Sequence, residues 1–490
     1  MRKKILLFVL LFLSAGNLFP QDQTWITPNK TYLKIYIAED GMYRLDKNDF
    51  TNAGINTNAI DPKTIKLYNK GVQIPIYFFG EENSVFDPTD YLDFYGKKNY
   101  GGITNTYDHN NNVAYTTFET YDSYSDTNVY WIGWDGDKGI RYGNSINSSG
   151  TSYPNTFFND VVHFERDYFY SQGEMINSSD LRILQTEKFR GEGWYWSTLY
   201  DNQTLSDTVS LPDLASTPQT ASFRVFAYPV NRSTSILNEH SLQLIVNGNI
   251  IATISVNDIN KIDSTVTFSS SLLSNFAVNT IAVKYVPNGG YSGSMYIDLM
   301  EIQYPRKFKF SASKLSADLG GSDTTSKKFS ISGFNQISPV NIYDVNNYFR
   351  IANSTVTSDT LKFTGKSNAK FVVVNNNITK KPLRVKQKSV PDLVSTSNGA
   401  DYMIIYNKNF LAQAEQLRAY RQQKDNFRSV KAEIEDIYDI FNFGIENPAA
   451  VRQFTTYVYN NWQLPKMQYV CLFGRASLRS ERNFLHQHTE

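Results

Sequence analysis

The sequence predicts a multidomain chain that is mostly β, built of β-sandwich and jelly-roll-like modules, followed by the start of an α/β domain with a parallel sheet. Over residues 400–474, short apolar runs alternate with helix-period runs, which is typical of a parallel α/β domain. Before that point, short β-type runs follow one another at the spacing of a sandwich. Aromatic residues make up 14% of the chain, with 33 Tyr and 32 Phe, which suits side chains that pack across strands.

Length and composition set the outline of the organisation. A chain of 490 residues is expected to hold roughly three or four domains. The net charge of +1 gives no field that would favour nucleic acid or an anionic membrane. The single cysteine excludes an internal disulfide, so stability must come from packed cores. We expect a signal peptide over 1–21, an N-terminal β domain over 22–159, a jelly-roll-like β-sandwich over 160–306, a small β-sandwich over 307–390 and an incomplete α/β domain over 391–490.

The first 21 residues have the pattern of a secretory signal. Arg2, Lys3 and Lys4 form a positive start, and the apolar run from Ile5 to Ala15 is too short to span a bilayer. Cleavage is expected between Ala15 and Asp22, and the alternative is a retained N-terminal anchor. No other stretch is long enough to cross a membrane, so we expect an exported chain at the cell surface, at the outer membrane or outside the cell.

The N-terminal β domain begins with alternating and turn-bounded runs. Thr31–Ile37 is predicted to be a strand, and Asp40-Gly41 makes a turn into the next one. Ile65–Tyr68 and Val72–Phe79 are predicted to form a hairpin. Among the loops and short strands of 102–154, Val129–Gly133 is the clearest strand.

Three carboxylates in this domain lie close together in the sequence. Asp87, Asp90 and Asp93 approach the spacing of a calcium loop, but they lack a bidentate glutamate at a defined offset. The alternatives are a calcium site and loop carboxylates that are exposed to solvent. Acidic residues at such spacing are more often solvent-exposed than bound to calcium.

The middle of the chain has the strand density of two sandwiches. The strands predicted in the first are Gly193–Trp196, Ala221–Tyr228, Leu242–Val246, Ile250–Val256, Thr265–Phe268, Ile281–Tyr285 and Ser294–Tyr304. Those predicted in the second, after the boundary at Pro305, are Lys328–Ile331, Val340–Asp344, Phe349–Ala352, Thr360–Thr364 and Ala369–Asn375. Residues 382–397 are predicted to be a linker. Trp194 and Trp196 lie on one face of a strand, either in the aromatic core of the sandwich or as a stacking platform for sugar rings.

The α/β part can be assigned element by element. Tyr402–Tyr406 is an apolar run suited to a strand buried on both faces, Phe427–Ala432 is a second candidate, and Tyr469–Phe473 is another buried strand. Between them we predict three helices. The residues assigned to their caps, buried faces and ends are Asn409, Phe410, Ala414 and Leu417 for the first, Ile434, Ile437, Tyr438, Phe441 and Gly444 for the second, and Asn447, Pro448, Val451, Phe454, Val458, Trp462 and Pro465 for the third.

The carboxyl ends of these strands are where chemistry is expected. In open parallel sheets, ligands and catalytic groups gather at that edge, so Gly474 and the turn after Tyr406 would line it. Cys471 is the only thiol, and it lies in the middle of a predicted strand. Because a nucleophilic cysteine needs an exposed site and a group that lowers its pKa, a structural role in the core is the simpler interpretation.

These residues carry a resemblance. The segments Asp401–Tyr406, Phe410–Glu415, Ile437–Phe441, Gly444–Pro448 and Tyr469–Gly474 are similar, in that order, to the start of the gingipain family of cysteine peptidases. More narrowly, they resemble the sortase-like peptidases of the type IX secretion system in Bacteroidetes, and Gly41–Leu45 and Phe86–Gly96 are similar to segments of the large β regions of such proteins. The resemblance implies a caspase-like α/β domain and an exported cysteine endopeptidase. It further implies protein substrates that carry C-terminal sorting domains, together with components of the secretion system as partners.

The family's catalytic His and Cys lie beyond the strand that ends at Gly474, so no residue of this sequence inherits either role. The family continues this strand with Gly-Asp-x-Ser-x-Asp, whereas this chain has Arg475 and Arg479 at the acidic positions. A truncated gene or a frameshift after Gly474 is the expectation, and we expect the chain alone to have no peptidase activity. The alternative function is a surface β protein that binds carbohydrate or a partner protein without catalysis.

Other site chemistries find little support in the sequence. His109, His163, His240, His486 and His488 are scattered, and only His486 and His488 have close spacing. No nucleophile elbow, zinc-peptidase, phosphate-loop or dinucleotide motif occurs in a usable context. We therefore predict no catalytic, cofactor or metal residue in this chain, apart from the possible calcium loop.

Overall fold

The computed structural model describes residues 25–474, except 108–112, 119, 123, 146–149, 172–193, 234, 312–313, 335–339, 353 and 376–378. The predicted signal peptide, Gly193, His109 and the tail with His486 and His488 lie outside the described residues. The chain divides into two compact units. The described part of one comprises 25–29, 100–124 and 390–474, and that of the other comprises 30–99 and 125–389. Within the described part, no helix is long and apolar enough to cross a membrane.

The first nine strands are short. In chain order they are β1 (Thr31–Ile37), β2 (Gly41–Asp46), β3 (Lys66–Asn69), β4 (Val72–Ile74), β5 (Tyr77–Phe79), β6 (Tyr91–Gly96), β7 (Ile103–Tyr107), β8 (Val113–Phe118) and β9 (Asn128–Gly133). Helix α1 (Lys47–Asn52) follows β2, where Asp46 caps it by accepting hydrogen bonds from the N–H groups of Asn48 and Asp49. The sheets β1-β9-β3-β4 and β2-β6-β5 enclose a core that includes Leu33, Phe50 and Phe94. Strands β7 and β8 pair only with each other among the described strands, and they belong to the first-named unit.

The predicted hairpin is confirmed for its first half only. Strands β3 and β4 pair antiparallel around Lys70 and Gly71, both of which have positive φ. The second strand ends at Ile74, because Pro75 cannot donate to a ladder. After it, β5 leaves the sheet and pairs with β6 instead.

Nine of the next thirteen strands form the two sheets of the large sandwich. The thirteen strands are β10 (Gly143–Ser145), β11 (Thr151–Ser152), β12 (Phe157–Glu165), β13 (Phe169–Tyr170), β14 (Trp194–Tyr195), β15 (Ser197–Tyr200), β16 (Thr204–Val209), β17 (Thr220–Pro229), β18 (His240–Val246), β19 (Asn249–Val256), β20 (Ile262–Ser269), β21 (Asn279–Tyr285) and β22 (Ser294–Lys307). One sheet has the order β12-β22-β17-β20, with β15 also on β22, and the other has the order β16-β21-β18-β19. The turn at Asn247-Gly248 has positive φ at both residues, as a tight hairpin requires.

Trp196 belongs to the core of this sandwich. It is 5% exposed and packs in the cluster that contains Phe223 and Tyr285, whereas Tyr195 packs in a separate aromatic cluster with Tyr228. The core interpretation of Trp196 is therefore confirmed, and the idea that it forms half of a stacking platform is wrong.

The following eight strands complete the β part. They are β23 (Lys314–Asp318), β24 (Ser326–Ser332), β25 (Val340–Asp344), β26 (Phe349–Ile351), β27 (Thr355–Thr357), β28 (Thr360–Lys366), β29 (Lys370–Asn375) and β30 (Arg384–Ser389). Two sheets, β10-β26-β25-β29-β23 and β11-β24-β28-β27, enclose a phenylalanine-rich core with Phe329, Phe363 and Phe371. Strands β10 and β11 come directly before the large sandwich in the sequence, and they pair in parallel with β26 and β24.

The predicted linker over 382–397 is wrong for its first part. Strand β30 pairs antiparallel with β1 over Thr31↔Ser389 to Tyr36↔Arg384. Just before it, Lys381 forms ion pairs with Asp46 at 3.1 Å and Asp49 at 2.7 Å. The run Arg384–Ser389 has charged or polar side chains at five of its six positions, so its strand character depends on partnering β1 rather than on its own composition.

Two of the three carboxylates predicted to be solvated are buried. Asp93 on β6 is fully buried, and its oxygens accept bonds of 2.7 Å from Arg44 and a bond of 2.8 Å from the hydroxyl of Tyr343. Asp90 is also buried, and it accepts the N–H of Asp87 at 2.8 Å. The three carboxylates thus face separate partners, and in the described part of the chain no group of three acidic, thiol or imidazole side chains could hold a metal ion.

The α/β part contains the three strands β31 (Tyr402–Tyr406), β32 (Ser429–Glu433) and β33 (Tyr469–Phe473). Its helices are α2 (Leu411–Asp425), α3 (Ile434–Phe441) and α4 (Pro448–Asn461). Short 3₁₀ turns occur at Thr57–Ala59, Pro62–Thr64, Glu81–Asn83, Ser270–Leu272 and Lys408–Phe410. The strands are parallel in the order β32-β31-β33, so the predicted fold class, mostly β followed by the start of a parallel α/β domain, is confirmed.

The substitution Asp93→Asn should destabilise the β part strongly, because it leaves the partly buried guanidinium of Arg44 without its counter-charge. We expect Asp93→Asn to lower the free energy of unfolding by about 3 kcal/mol, measured by guanidinium denaturation. The matched control is Asp87→Asn, whose partly exposed carboxylate accepts from the side chain of Asn83; it should change stability by less than about 0.5 kcal/mol. Equal effects of the two substitutions would contradict this account of Asp93.

Candidate functional site in the α/β domain

The carboxyl ends of the three parallel strands form one edge. The register aligns Tyr406 with Glu433 on one side and with Phe473 on the other, so these three residues lie side by side at that edge. Gly474 follows directly, and a Cβ added there would meet open space. This edge is where a parallel sheet presents catalytic and binding groups, as the sequence predicts.

The amino ends of the same strands are fixed by an ion pair that sequence reasoning missed. Asp401 precedes β31 and Arg428 precedes β32, and their side chains meet at 2.8 Å. Asp401 also accepts the backbone N–H of Arg428 at 2.8 Å. Hydrogen bonding to Arg428 holds the pKa of Asp401 below its usual value, although partial desolvation opposes this.

The guanidinium of Arg428 extends the same link to the third strand. It donates to the carbonyl oxygens of Leu464 and Pro465, at 3.1 Å and 2.7 Å. The carbonyl of Asp401 in turn accepts the N–H of Tyr469, the first residue of β33, at 3.1 Å. One aspartate and one arginine therefore set the starts of all three strands. The available sequence signal is a charged residue, Asp401, directly before the apolar run Tyr402–Tyr406, whereas Arg428 falls inside the predicted strand Phe427–Ala432.

The first helix is entered differently from the prediction. Asn407, not Asn409, supplies the capping side chain: it accepts the N–H of Asn409 at the start of the 3₁₀ turn that leads into α2. Phe410 is exposed, so its assignment to the buried face is wrong, whereas Ala414 is fully buried against the sheet. The 3₁₀ turn places Phe410 before the α-helix, whereas Ala414 and Leu417 keep the predicted position on the packed face.

The second and third helices agree with the prediction. Helix α3 buries Ile437 and Phe441, and it ends where the N–H of Gly444, at φ 93°, bonds to the carbonyl of Tyr438. Asn447 caps α4 by accepting the N–H of Ala449, with Pro448 in the first turn. On the buried face of α4 lie Phe454 and Val458, and Trp462 follows the helix and donates to the carbonyl of Leu393 at 3.2 Å; Val451 is only partly buried.

Strand β33 is not buried on both faces as predicted. It lies at the edge of the described sheet, and the side chains of Val470 and Leu472 are 43% and 67% exposed. Its other face packs against α2 and β31. The run Tyr469–Phe473 has the composition of a central strand, so sequence alone could not distinguish the two positions.

Cys471 lies on the packed face of β33. It is opposite Ile404 in the register and contacts the cluster of Ile404, Tyr406 and Ala414, where Tyr402 and Leu417 also pack. Burial and, next, the neighbouring thiol raise the pKa of Tyr402. The thiol therefore meets a phenol and aliphatic side chains, and it lies mid-strand rather than at the carboxyl edge.

The two histidines of the described residues are both in the large sandwich. His163 joins Glu301 at 2.8 Å and Glu165 at 2.6 Å, and hydrogen bonds to these carboxylates outweigh desolvation and raise its pKa to about 9. His240 is buried, with Tyr285 and the carbonyl of Asn231 on its ring nitrogens, and desolvation lowers its pKa. Neither imidazole belongs to the same compact unit as Cys471.

Comparison with known proteins finds a family model and a solved structure that resemble this chain. Residues 395–488 match the model of Peptidase family C25. The chain also matches the crystal structure of dimeric latent PorU from Porphyromonas gingivalis, with a TM-score of 0.61 and 16% sequence identity, over 91% of this chain and 42% of that chain. The resemblance to the gingipain peptidases is confirmed.

The likeness to PorU establishes a shared fold. This chain spans less than half the length of the PorU chain that it matches. Two other solved structures, a CBM36 domain of a xylanase from the hindgut metagenome of Trinervitermes trinervoides and a β-porphyranase from Bacteroides plebeius, match at 15% and 11% identity. They cover 29% and 56% of this chain, and 95% and 34% of their own. Their TM-scores of 0.18 do not establish a common architecture. A comparison with curated protein sequences found no significant match to the chain.

The ion pair of Asp401 gives the α/β domain a defined acid response. Because the folded-state pKa of Asp401 is lowered, its stabilisation is complete above the unfolded-state pKa of about 3.9 and disappears as the pH falls through the folded-state value. Asp401→Asn should therefore cost about 2 kcal/mol near neutral pH and progressively less in acid. The measurement is hydrogen exchange of the Tyr469–Phe473 amides between neutral pH and about pH 3.

The control for this experiment is Asp425→Asn. Asp425 pairs with Arg421 at 2.9 Å on the surface of α2, one helical turn apart, and such pairs contribute only about 0.3–0.5 kcal/mol. A cost of Asp401→Asn that stays constant with pH, or that matches the control, would show that the carboxylate does not hold the strands through its charge.

Proposed function

We propose that this chain supplies the β modules and the first part of the α/β domain of an exported, PorU-like cysteine endopeptidase. The observation that carries the proposal is the parallel sheet β32-β31-β33 within the segment that matches Peptidase family C25. The likeness to PorU supports it, since that fold extends over nearly all of this chain. The activity proposed for the whole protein is the removal of C-terminal sorting signals from cargo of the type IX secretion system.

The reaction would follow the usual course for a cysteine peptidase. A thiolate attacks the scissile carbonyl, an imidazole acts as general base and acid, and an acyl-enzyme is formed and then hydrolysed. In the described residues, Cys471 has no histidine beside it and is packed between β31 and α2. We therefore propose that Cys471 is structural, that no described residue of this chain is the nucleophile, and that the 490-residue chain alone does not cleave peptides.

The contribution of this chain is positioning. The link from Asp401 through Arg428 to Leu464, Pro465 and Tyr469 holds the strand starts in register. The carboxyl ends of the strands, at Tyr406, Glu433 and Phe473, are thereby aligned as a platform for catalytic groups. The partners proposed are proteins with C-terminal sorting domains and components of the secretion system, at the cell surface or outer membrane.

Deletion of the coding region in the source bacterium tests the proposal. Surface and secreted proteins should then retain their C-terminal sorting domains, which mass spectrometry of protein C-termini would detect. Re-introduction of the coding region of the whole proposed peptidase, of which this chain supplies the first part, should restore removal, and its Cys471→Ala version should restore it equally. The restored strain should lose activity with Arg428→Met, because the strand starts are no longer held.

Two outcomes would contradict the proposal. Normal removal of sorting domains in the deletion strain would exclude the function. Failure of Cys471→Ala to restore removal at normal protein levels, or turnover of a peptide by the purified chain that is lost on thiol alkylation, would assign catalysis to Cys471.

A further inference from the structure

A groove of about 980 Å³ lies in the β part, where the large sandwich meets the phenylalanine-rich one. Its size is at the upper end of the range of roughly 300–1,000 Å³ found for ligand pockets. The floor is the outer face of sheet β11-β24-β28-β27. One part of the wall is lined by Ser152, Tyr153, Asn155 and Thr156, and another by residues 215–217 with Lys307. None of the lining residues belongs to the α/β domain.

Strand alternation places a polar set of side chains on this floor. On β24, Phe329 and Ile331 point into the core while Lys328 and Ser330 are exposed. On β28, Leu361 and Phe363 fill the core, and Lys362 is exposed. The floor and walls also carry hydroxyl groups, contributed by Ser152, Thr156, Ser216, Thr217, Ser330, Ser332, Thr355, Thr360 and Thr364.

The groove concentrates positive charge. Lys307, Lys328 and Lys362 line it, and no described lining residue carries a carboxylate. None of the three ammonium groups forms an ion pair with a described carboxylate. Asp213, which lies next to the wall, is already engaged by Lys309 at 3.1 Å, Arg306 at 3.4 Å and Ser311 at 2.9 Å.

The two lysines of the floor are close to each other. Lys328 pairs with Thr364 across the strands and Lys362 pairs with Ser330, so the two lysines are diagonal neighbours, a relation in which the Cα atoms are typically about 7–8 Å apart. Two ammonium groups on one face of neighbouring strands repel each other, and a bound anion would relieve the repulsion. In a chain whose net charge is only +1, this local excess of cations is a specific feature of the groove.

We propose that this groove binds an anionic oligosaccharide, a glycan whose sugars carry carboxylate, sulfate or phosphate groups. The lysines would bind the charged groups, and the serine and threonine hydroxyls, which both donate and accept, would bind sugar hydroxyls. Tyr153 is partly exposed in the wall, with its ring centroid 4.8 Å from that of Phe329 and the planes tilted by 31°, and the exposed part of its ring would contact a sugar.

An acidic peptide fits this floor less well. Extended peptides usually bind by adding a strand to an open sheet edge. At both floor lysines the ladder is occupied on each side, because Lys328 is paired with Ser152 of β11 and Thr364 of β28, and Lys362 is paired with Ser330 of β24 and Thr355 of β27. The floor thus offers side-chain hydroxyls rather than main-chain groups, which favours a glycan.

The test is isothermal titration of the full chain with two anionic glycans, oligogalacturonate and dextran sulfate. Neutral dextran and a polyglutamate peptide are the comparison ligands. We expect at least one anionic glycan to bind, with an affinity that falls as sodium chloride is raised, and no comparable binding of the neutral dextran or the peptide. Lys328→Gln with Lys362→Gln should weaken glycan binding by about tenfold or more.

The matched control is Lys138→Gln with Lys408→Gln, which removes the same charge from exposed positions outside the groove and should leave binding unchanged. Ser330→Ala with Thr360→Val keeps every charge and should still weaken glycan binding several-fold. The proposal is overturned if neither anionic glycan binds, if polyglutamate or neutral dextran binds as tightly, or if the groove variants behave like the control while their thermal unfolding is unchanged.

Discussion

The ion pair between Asp401 and Arg428 is the constraint on which the α/β domain depends. A parallel sheet has no tight turns between neighbouring strands, so its register must be fixed by contacts made outside the ladder. Here a single carboxylate accepts both the side chain and the backbone N–H of Arg428, and the same guanidinium reaches the segment before β33. With the strand starts held at one edge, the geometry of the opposite edge follows from the equal lengths of the three strands.

The β part is held together by exchange of strands between its modules. Strands β10 and β11 precede the large sandwich in the sequence but complete the two sheets of the module that follows it. Asp93, on the N-terminal sheet, accepts a bond from Tyr343 of that later module, and burial raises the pKa of Tyr343 so that it remains a donor. Cutting the chain at boundaries drawn from strand density would therefore separate residues that share a sheet.

Most strands and helices can be predicted from the sequence, but the pairing of distant strands and the contacts between distant side chains cannot. Alternating and turn-bounded runs such as Leu242–Val246 and Ile281–Tyr285 identify strands because each contacts its neighbours in a half-buried sheet. Arg384–Ser389 escaped because it is a strand only through β1, and Asp93 was assigned to solvent because its partner Tyr343 is about 250 residues away. Burial of charged residues is decided by such distant partners, which a local pattern does not contain.

The candidate site shows the same division. The edge at Tyr406 and Gly474 could be predicted, because the position of catalytic groups in a parallel sheet is a general property of the topology. The Asp401–Arg428 link and the groove lined by Lys328 and Lys362 could not, since each combines residues from elements whose pairing is known only from the fold. The overall composition also gives no indication of the groove, because the net charge of the whole chain is close to zero even though three lysines line the groove.

The pairing of β1 with β30 has a consequence for the order of folding. The first and last strands of the β part, β1 and β30, are hydrogen-bonded neighbours although about 350 residues separate them. The first strand therefore needs the last strand to complete its sheet. During synthesis, β1 is made long before β30, and the edge of β1 that pairs with β30 stays unpaired until then. A chain built this way completes its N-terminal sheet only after the whole β region has been synthesised, so the unfinished polypeptide exposes a strand edge that can associate with other chains.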